Sequence, residues 1–191
     1  MIVKEKNHYI GGICMSSRRK LMLFIAMSLD GYIAGKDESL DWLFKVEGEG
    51  DNGYSKFYDT VDTVLMGRKT YDWLLKHVDG TFPYEGKECF VFSRSLGTDN
   101  SNVNFVSADI VSFTNLLKEK DGKNIWLVGG GNLLQTFLQE DLVDEIILTL
   151  APTVIGNGIP LFQQSDKEIE LSLMNMSQYN QFVELHYEVK K

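Results

Sequence analysis

The chain has 191 residues, 19 of them Lys or Arg and 27 Asp or Glu, which gives a net charge of −8. That length suits one domain with a proper core, and 43% hydrophobic with 24% charged residues excludes a disordered or fibrous chain. The acidic balance argues against general nucleic-acid or anionic-membrane binding, which needs a basic surface, yet leaves room for a small phosphorylated ligand held by a few local cations.

Residues 1–19 have mixed polarity, a Gly11-Gly12 pair and no period, and read as a loosely ordered extension to a single domain over 20–191. Leu21–Met27 reads as a buried strand, and Ser28–Lys36 as a loop punctuated by Gly31 and Gly35. A weakly patterned acidic stretch runs from Asp37 to Asp51, and Tyr54–Val61 has helical spacing. Thr63–Met66 is then a strand, Lys69–Lys76 a helix, Glu88–Phe92 and Asn104–Val106 strands. Ile110–Lys120 is a helix, Ile125–Val128 a strand, Leu133–Gln139 a helix and Glu145–Leu150 a strand. This alternation predicts crossover units and a largely parallel sheet covered on both faces. Glu168–Met174 and Phe182–Val189 alternate strictly, so an antiparallel hairpin joined through Ser177–Asn180 is expected to end the sheet. Its second strand turns Val183, Leu185, Tyr187 and Val189 to one side, and Glu184, His186 and Glu188 to the other.

Cys14 and Cys89 are too few for a disulfide framework, and with His8, His77 and His186 they form no metal-site spacing. The longest apolar run, Leu21–Met27, falls far short of the ~20 residues that span a bilayer. No cleavage site follows it, and a cytoplasmic protein is expected.

Three glycine- or arginine-bearing corners point to chemistry. Ile125-Trp126-Leu127-Val128-Gly129-Gly130-Gly131-Asn132 runs a strand through three glycines into a helix, whose start offers unpaired N–H groups to a phosphate. Val64-Leu65-Met66-Gly67-Arg68-Lys69-Thr70 places two cations in a first helical turn, against the helix dipole unless an anion sits between them. Phe90-Val91-Phe92-Ser93-Arg94-Ser95 ends a strand in an arginine fork flanked by hydroxyls, suited to a phosphate monoester. All three corners lie at carboxyl ends of strands, where open α/β sheets bind ligands. One extended anionic ligand that touches all three would be a dinucleotide with an extra phosphate. None of the three is the G-x-G-x-x-G fingerprint of an ordinary Rossmann domain.

With Ile25-Ala26-Met27-Ser28-Leu29-Asp30-Gly31-Tyr32-Ile33-Ala34, Val143-Asp144-Glu145-Ile146-Ile147-Leu148-Thr149 and Gly156-Asn157-Gly158-Ile159-Pro160-Leu161-Phe162, these motifs give a resemblance over about residues 20–190. The chain resembles the dihydrofolate reductase superfamily, and more closely the reductase domain of the bifunctional riboflavin-biosynthesis deaminase–reductase and its stand-alone bacterial relatives. The resemblance implies a three-layer α/β/α fold with a mixed, mainly parallel sheet of about eight strands and a C-terminal antiparallel hairpin. It implies NADPH as cofactor, with Ala26 and Ile33 at the nicotinamide and Gly67, Arg68, Lys69 and Thr70 at the adenine-side phosphates. Ser93 and Arg94 would take the 2′-phosphate, and Gly129, Gly130, Gly131 and Asn132 the pyrophosphate, with a cis peptide between the first two glycines. Leu29–Lys36 would be a mobile lid. The proton donor would be Asp51, fifteen residues ahead of Met66, with Thr149 as its companion; Asp59, Tyr54 and Tyr58 are the other groups in reach. Asp30 would shape the loop.

Lys87 stands where the folate enzymes grip a substrate carboxylate, and Leu134 where they place an aromatic. Trp73 and Trp126 read as core, Trp42 as core or pocket wall, and His77 as a helix-end residue. The activity implied is NADPH-dependent reduction of a small nitrogen heterocycle or ribosylamine, most like 5-amino-6-(5-phosphoribosylamino)uracil reductase of riboflavin biosynthesis, by a homodimer. Dihydrofolate or pterin reduction is one alternative, and a non-catalytic NADPH-binding sensor or dimerisation module another.

Overall fold

A computed structural model describes residues 18–78, 80–95 and 102–191, so residues 1–17 of the expected extension lie outside the described residues. The strands are β1 (Leu21–Ser28), β2 (Tyr32–Ala34), β3 (Val61–Gly67), β4 (Glu88–Phe92), β5 (Asn104–Val106), β6 (Asn124–Gly129), β7 (Glu145–Ala151), β8 (Ile159–Pro160), β9 (Leu171–Tyr179) and β10 (Phe182–Val189). The helices are α1 (Asp41–Phe44), α2 (Tyr54–Tyr58), α3 (Arg68–His77), α4 (Ile110–Glu119) and α5 (Gly131–Gln139). Eight strands form one sheet in the order β5-β4-β3-β6-β1-β7-β10-β9, while β2 and β8 pair as a separate small sheet. The strands from β5 to β7 are parallel, and β10 and β9 close the edge antiparallel.

The apolar run of β1 follows from burial on both sides. Leu21 and Leu23 join Leu65, Leu127 and Leu148 beneath α4 and α5, which contribute Leu117, Leu134 and Phe137. Met22 and Phe24 face the other way, with Val64, Met66 and Trp126, against Phe57 of α2 and Tyr71 and Leu74 of α3. Strand residues alternate between the faces, so a central parallel strand covered twice has no polar positions to spare. Trp126 belongs to this core, as its place in the pattern requires. The result is the three-layer arrangement with a mixed sheet that the resemblance implies.

Ion pairs gather at the amino ends of the strands. Arg19, only 5% exposed, pairs with Asp62 and donates to Thr63 Oγ1, so the folded domain already includes the last residue of the expected extension. Lys118 pairs with Asp144 and donates to the Leu142 carbonyl at 2.6 Å. Asp144 also accepts the Leu21 N–H at 2.7 Å and Lys191 Nζ at 2.6 Å. This end of the sheet is fixed by electrostatics, which leaves the carboxyl ends free for a ligand.

Several elements differ from the sequence reading. The helix expected over 54–61 stops at Tyr58, where the Thr60 N–H and hydroxyl both donate to the Phe57 carbonyl, and Val61 is already strand, paired with Asn124. The strands β2 and β8 and the single-turn α1 are too short to show a period. The hairpin turn is tighter than expected. Tyr179 pairs with Phe182, and Asn180 (φ +53°) takes the left-handed position of the two-residue loop, so most of Ser177–Asn180 is strand. Among the described residues, no helix is long and apolar enough to cross a membrane.

Candidate functional site

The carboxyl ends of β1, β3, β4, β5 and β6 open onto one cavity of about 1100 Å³. Ligand pockets commonly occupy ~300–1,000 Å³, so the space exceeds that of one drug-sized molecule. Five adjacent strands at ~4.8 Å spacing make it roughly 20 Å long. Its lining includes Ala26 of β1, Ile33 of β2, and Gly67, Arg68, Lys69 and Thr70 at the β3–α3 junction. Ser93 and Arg94 after β4, and Gly130, Gly131 and Asn132 at the start of α5, line it too, so of the cofactor residues expected from sequence Gly129 alone is not on the wall. Gly129 lies at the end of β6, joined to Gly130 by a cis peptide.

Local geometry explains these residue types. The backbone N–H groups of Leu133 and Leu134 turn back to the Gly130 carbonyl at 3.0 Å, while those of Gly131 and Asn132 start the helix at the cavity wall. A Cβ on Gly131 would stand 2.7 Å from the Pro160 carbonyl oxygen and 2.9 Å from Gln163 Nε2, so only glycine lets α5 approach β8 this closely. The β2–β8 sheet forms the opposite wall, with Tyr32 against Pro160 and Ala34 against Ile159. Asp30 anchors it: its carboxylate accepts from Ser28 Oγ at 2.7 Å, Gly156 N at 2.7 Å and Ile155 N at 3.2 Å. Those bonds, the Ser28 hydroxyl foremost, hold its pKa below the usual carboxylate range. Within the Leu29–Lys36 segment, Tyr32 and Ala34 are held by this strand pairing.

The positive charge is confined to one end. Arg68 Nε pairs with Asp72 at 2.8 Å, and its guanidinium lies 5.4 Å from the Phe105 ring centre. Lys69 and Arg94 have no ion-pair partner among the described residues. Two uncommitted cations beside a helix start make an anion-binding rim.

The expected proton-donor pair is not on the cavity wall. Asp51 is exposed, and its carboxylate accepts Gly53 N at 3.1 Å and Ser55 N at 2.8 Å at the entry to α2. Those contacts, Ser55 first, lower its pKa, the reverse of what a carboxylic-acid donor needs. Thr149 is 7% exposed on β7, in register between Ala26 of β1 and Glu184 of β10. Glu184 is the carboxyl group of this face that burial pushes up, with His186 and Lys56 opposing the shift. Strand alternation separates Glu184 from the apolar positions of the hairpin, but does not reveal that its side is desolvated.

Other assignments change as well. Lys87 donates to the Tyr58 and Val61 carbonyls at 3.1 and 2.8 Å and sits over the Tyr58 ring, so it closes the end of α2 instead of meeting a ligand. Trp73, expected in the core, is half-buried on the cavity wall. Its Nε1 donates to the Glu38 carbonyl at 3.2 Å, and its ring stacks on His77. Leu40 and Leu43 line the cavity beside it, a role without a sequence signal because α1 is one turn long. Trp42 Nε1 in the same turn is buried and unpaired.

Residues 19–185 match the RibD C-terminal domain family. The chain is 48% identical to YwjB of Bacillus subtilis (strain 168) over 170 residues, which cover 88% of this chain and 97% of that protein. A solved protein of Shewanella sp. PV-4, assigned to riboflavin biosynthesis, superposes with a TM-score of 0.81 at 33% identity, covering 90% of this chain and 99% of that one. The diaminohydroxyphosphoribosylaminopyrimidine deaminase/5-amino-6-(5-phosphoribosylamino)uracil reductase of Thermotoga maritima has the same fold, with a TM-score of 0.67 at 18% identity over 91% of this chain and 57% of that one. With the strand-end cavity already in place, the match across nearly the whole folded region assigns this chain to the RibD C-terminal domain family, the reductase domain of riboflavin biosynthesis.

Proposed function

We propose that the chain is an NADPH-dependent reductase of a small nitrogen heterocycle or its ribosylamine. The observation that carries this reading is one continuous cavity with unpaired Lys69 and Arg94 at one end, the Gly130–Asn132 helix start in the middle and Ala26 and Ile33 at the other. The residues fit the cofactor. Gly131 lets α5 start against β8 at the cavity wall, where its unpaired N–H groups suit a pyrophosphate, and Ser93 with Arg94 offers a hydroxyl and a guanidinium to a 2′-phosphate. When bound, NADPH supplies the hydride.

The protein's own part is to orient and enclose. Gly67, Arg68, Lys69 and Thr70 hold the phosphates, and the β2–β8 wall with Ala26 excludes water at the reacting end. For the proton we propose Glu184, a half-buried acid that stands behind the cavity wall in register with Thr149, itself in register with Ala26 of the lining. Asp51 is not among these residues, and its bonds at the entry to α2 favour, as the second reading, an NADPH-binding module without turnover. The proposed unit is a cytoplasmic homodimer. The edge strand β9 leaves Leu173, Met174 and Met176 more than half exposed, an edge that pairing with a second copy would cover. A monomer in sedimentation equilibrium at micromolar concentration would reject that assembly.

The cofactor assignment is tested by Arg94→Ala, with NADPH and NADH titrated side by side. Loss of a charge-assisted contact worth ~1.5 kcal/mol predicts about tenfold weaker NADPH and unchanged NADH. Equal losses would remove the 2′-phosphate contact from the proposal. No thermal stabilisation of the parent protein by millimolar NADPH would reject the cofactor altogether.

A further inference from the structure

Trp73 is an aromatic ring fixed in place on the cavity wall. It follows Lys69 by four residues in α3, so the two share one face of the helix, about 6 Å apart along its axis. Both line the cavity, together with Leu40 and Leu43. The indole is held on two sides. His77, itself exposed, stacks on it with ring centres 4.4 Å apart and planes 17° apart, and its Nδ1 lies 2.9 Å from the Trp73 carbonyl oxygen. The indole Nε1 donates to the Glu38 carbonyl at 3.2 Å. Trp126 of the core is instead surrounded by Phe24, Phe57 and Tyr84, whereas among the described residues His77 is the only ring packed on Trp73. An exposed side chain thus covers one face of the indole, and the cavity is what remains for the other.

We infer that Trp73 is the platform on which the flat ring of the acceptor stacks, beside Leu40 and Leu43, and that it selects planar heterocycles for reduction. This rests on the reductase reading above and deepens it: with the cofactor's phosphates at Gly67–Thr70, the next turn of α3 is left to the molecule being reduced. The hydrogen bond of Trp73 ties it to the segment that continues β2, the wall of the reacting end, and not to the β4 end where Arg94 stands. An indole face attracts a planar ring by offset stacking, which asks for flatness and not for one particular donor or acceptor. Because His77 and Glu38 already hold the ring, little side-chain freedom is lost when a ligand arrives. A puckered ring would forfeit much of the close contact with the indole plane.

The test titrates two flat probes, a ribitylaminouracil and a pterin, into the full chain saturated with NADP⁺, followed by calorimetry and by tryptophan fluorescence. At least one probe is expected to bind and to quench the emission of Trp73. Loss of a stacked aromatic weakens binding about tenfold to a hundredfold, so Trp73→Leu should weaken that probe at least tenfold. Trp73→Phe keeps an aromatic face and should hold the probe within about threefold, while most of the quench disappears although Trp42 and Trp126 remain. The affinity for NADP⁺ should not change in either variant. If Trp73→Leu fails to fold, the lost quench in Trp73→Phe decides the matter. Parent-like binding in the Leu variant, equal losses in both variants, a full quench surviving in the Phe variant, or binding of neither probe overturns the inference. So does a loss confined to NADP⁺, which would give the indole to the cofactor. Failure of NADP⁺ to bind the parent protein, measured first, would instead reject the reductase reading.

Discussion

A methyl group added at Gly131 has no room. The new Cβ would stand 2.7 Å from the Pro160 carbonyl oxygen, 2.9 Å from Gln163 Nε2 and 3.2 Å from the Leu161 carbonyl oxygen. Two of these are backbone atoms of a segment that cannot retreat cheaply. Pro160 is paired with Tyr32, Leu161 N–H is bonded to the Gly31 carbonyl at 2.9 Å, and the Leu161 side chain is 1% exposed in the core. Inserting a carbon into such packing costs about 1–3 kcal/mol. A domain of this size loses ~2–4 °C of Tm per kcal/mol, so Gly131→Ala should melt roughly 2–12 °C below the parent. The helix start and β8 both line the cavity, so their separation should also weaken the cofactor site. A ligand at a hundred times its Kd adds ~2.7 kcal/mol of stability, and most of that increment should vanish in the variant. Thermal melts with and without NADPH measure both effects. Gly67→Ala is the control, because its Cβ meets nothing closer than 3.9 Å and the fold should lose less than about 0.5 kcal/mol. If Gly131→Ala melts with the parent and keeps the full NADPH shift, the close approach of α5 to β8 is not what shapes the site.

Three further variants test the charged groups. Asp51→Ala should lower Tm, since the Gly53 and Ser55 N–H groups at the entry to α2 lose their acceptor, and leave kcat unchanged; a collapse of kcat would return Asp51 to the proton route. Glu184→Gln should lower kcat and remove its decline as pH rises through the raised pKa of Glu184, with NADPH affinity unchanged. An unaltered pH profile would eliminate Glu184 from that route. Burial raises this pKa, so ionising Glu184 opposes folding; the Gln variant should gain stability over the parent at neutral pH and lose that advantage in acid. Asp144 behaves oppositely. Burial disfavours its charge, but Lys118, Lys191 and the Leu21 N–H outweigh that and depress its pKa. Its contribution is therefore present above the ordinary carboxylate range and lost as pH falls through the depressed value. Removing the ammonium in Lys118→Met should cost about 3 kcal/mol, the low end for a broken buried pair because Lys191 and Leu21 still serve Asp144, and should shallow the acid limb of a stability–pH profile. Unfolding curves in urea between pH 3 and pH 7 decide it, and a parent-like profile would show that the pair is incidental.

The sequence by itself determined the order of layers and the rim that carries the site. Runs such as Leu21–Met27 and Ile125–Val128 are apolar at successive positions because a parallel strand is buried on both faces, and that pattern needs no partner to be read. Gly131, Arg68 and Lys69 stand out in the sequence for a related reason: glycine at a helix start and cations facing a helix dipole are locally costly, and all three line the cavity. Tertiary structure alone decided where a side chain goes once its local role is ambiguous. Asp51 and Glu184 are both acids, but the N–H groups of Gly53 and Ser55 at the entry to α2 occupy one, while burial beside Thr149 of β7 desolvates the other. Trp73 reads as core from its spacing and becomes a cavity wall because the loop bearing Glu38 folds back onto it. Periodicity reports burial averaged along one element, whereas the protonation of an acid and the walls of a pocket depend on what distant segments bring against it.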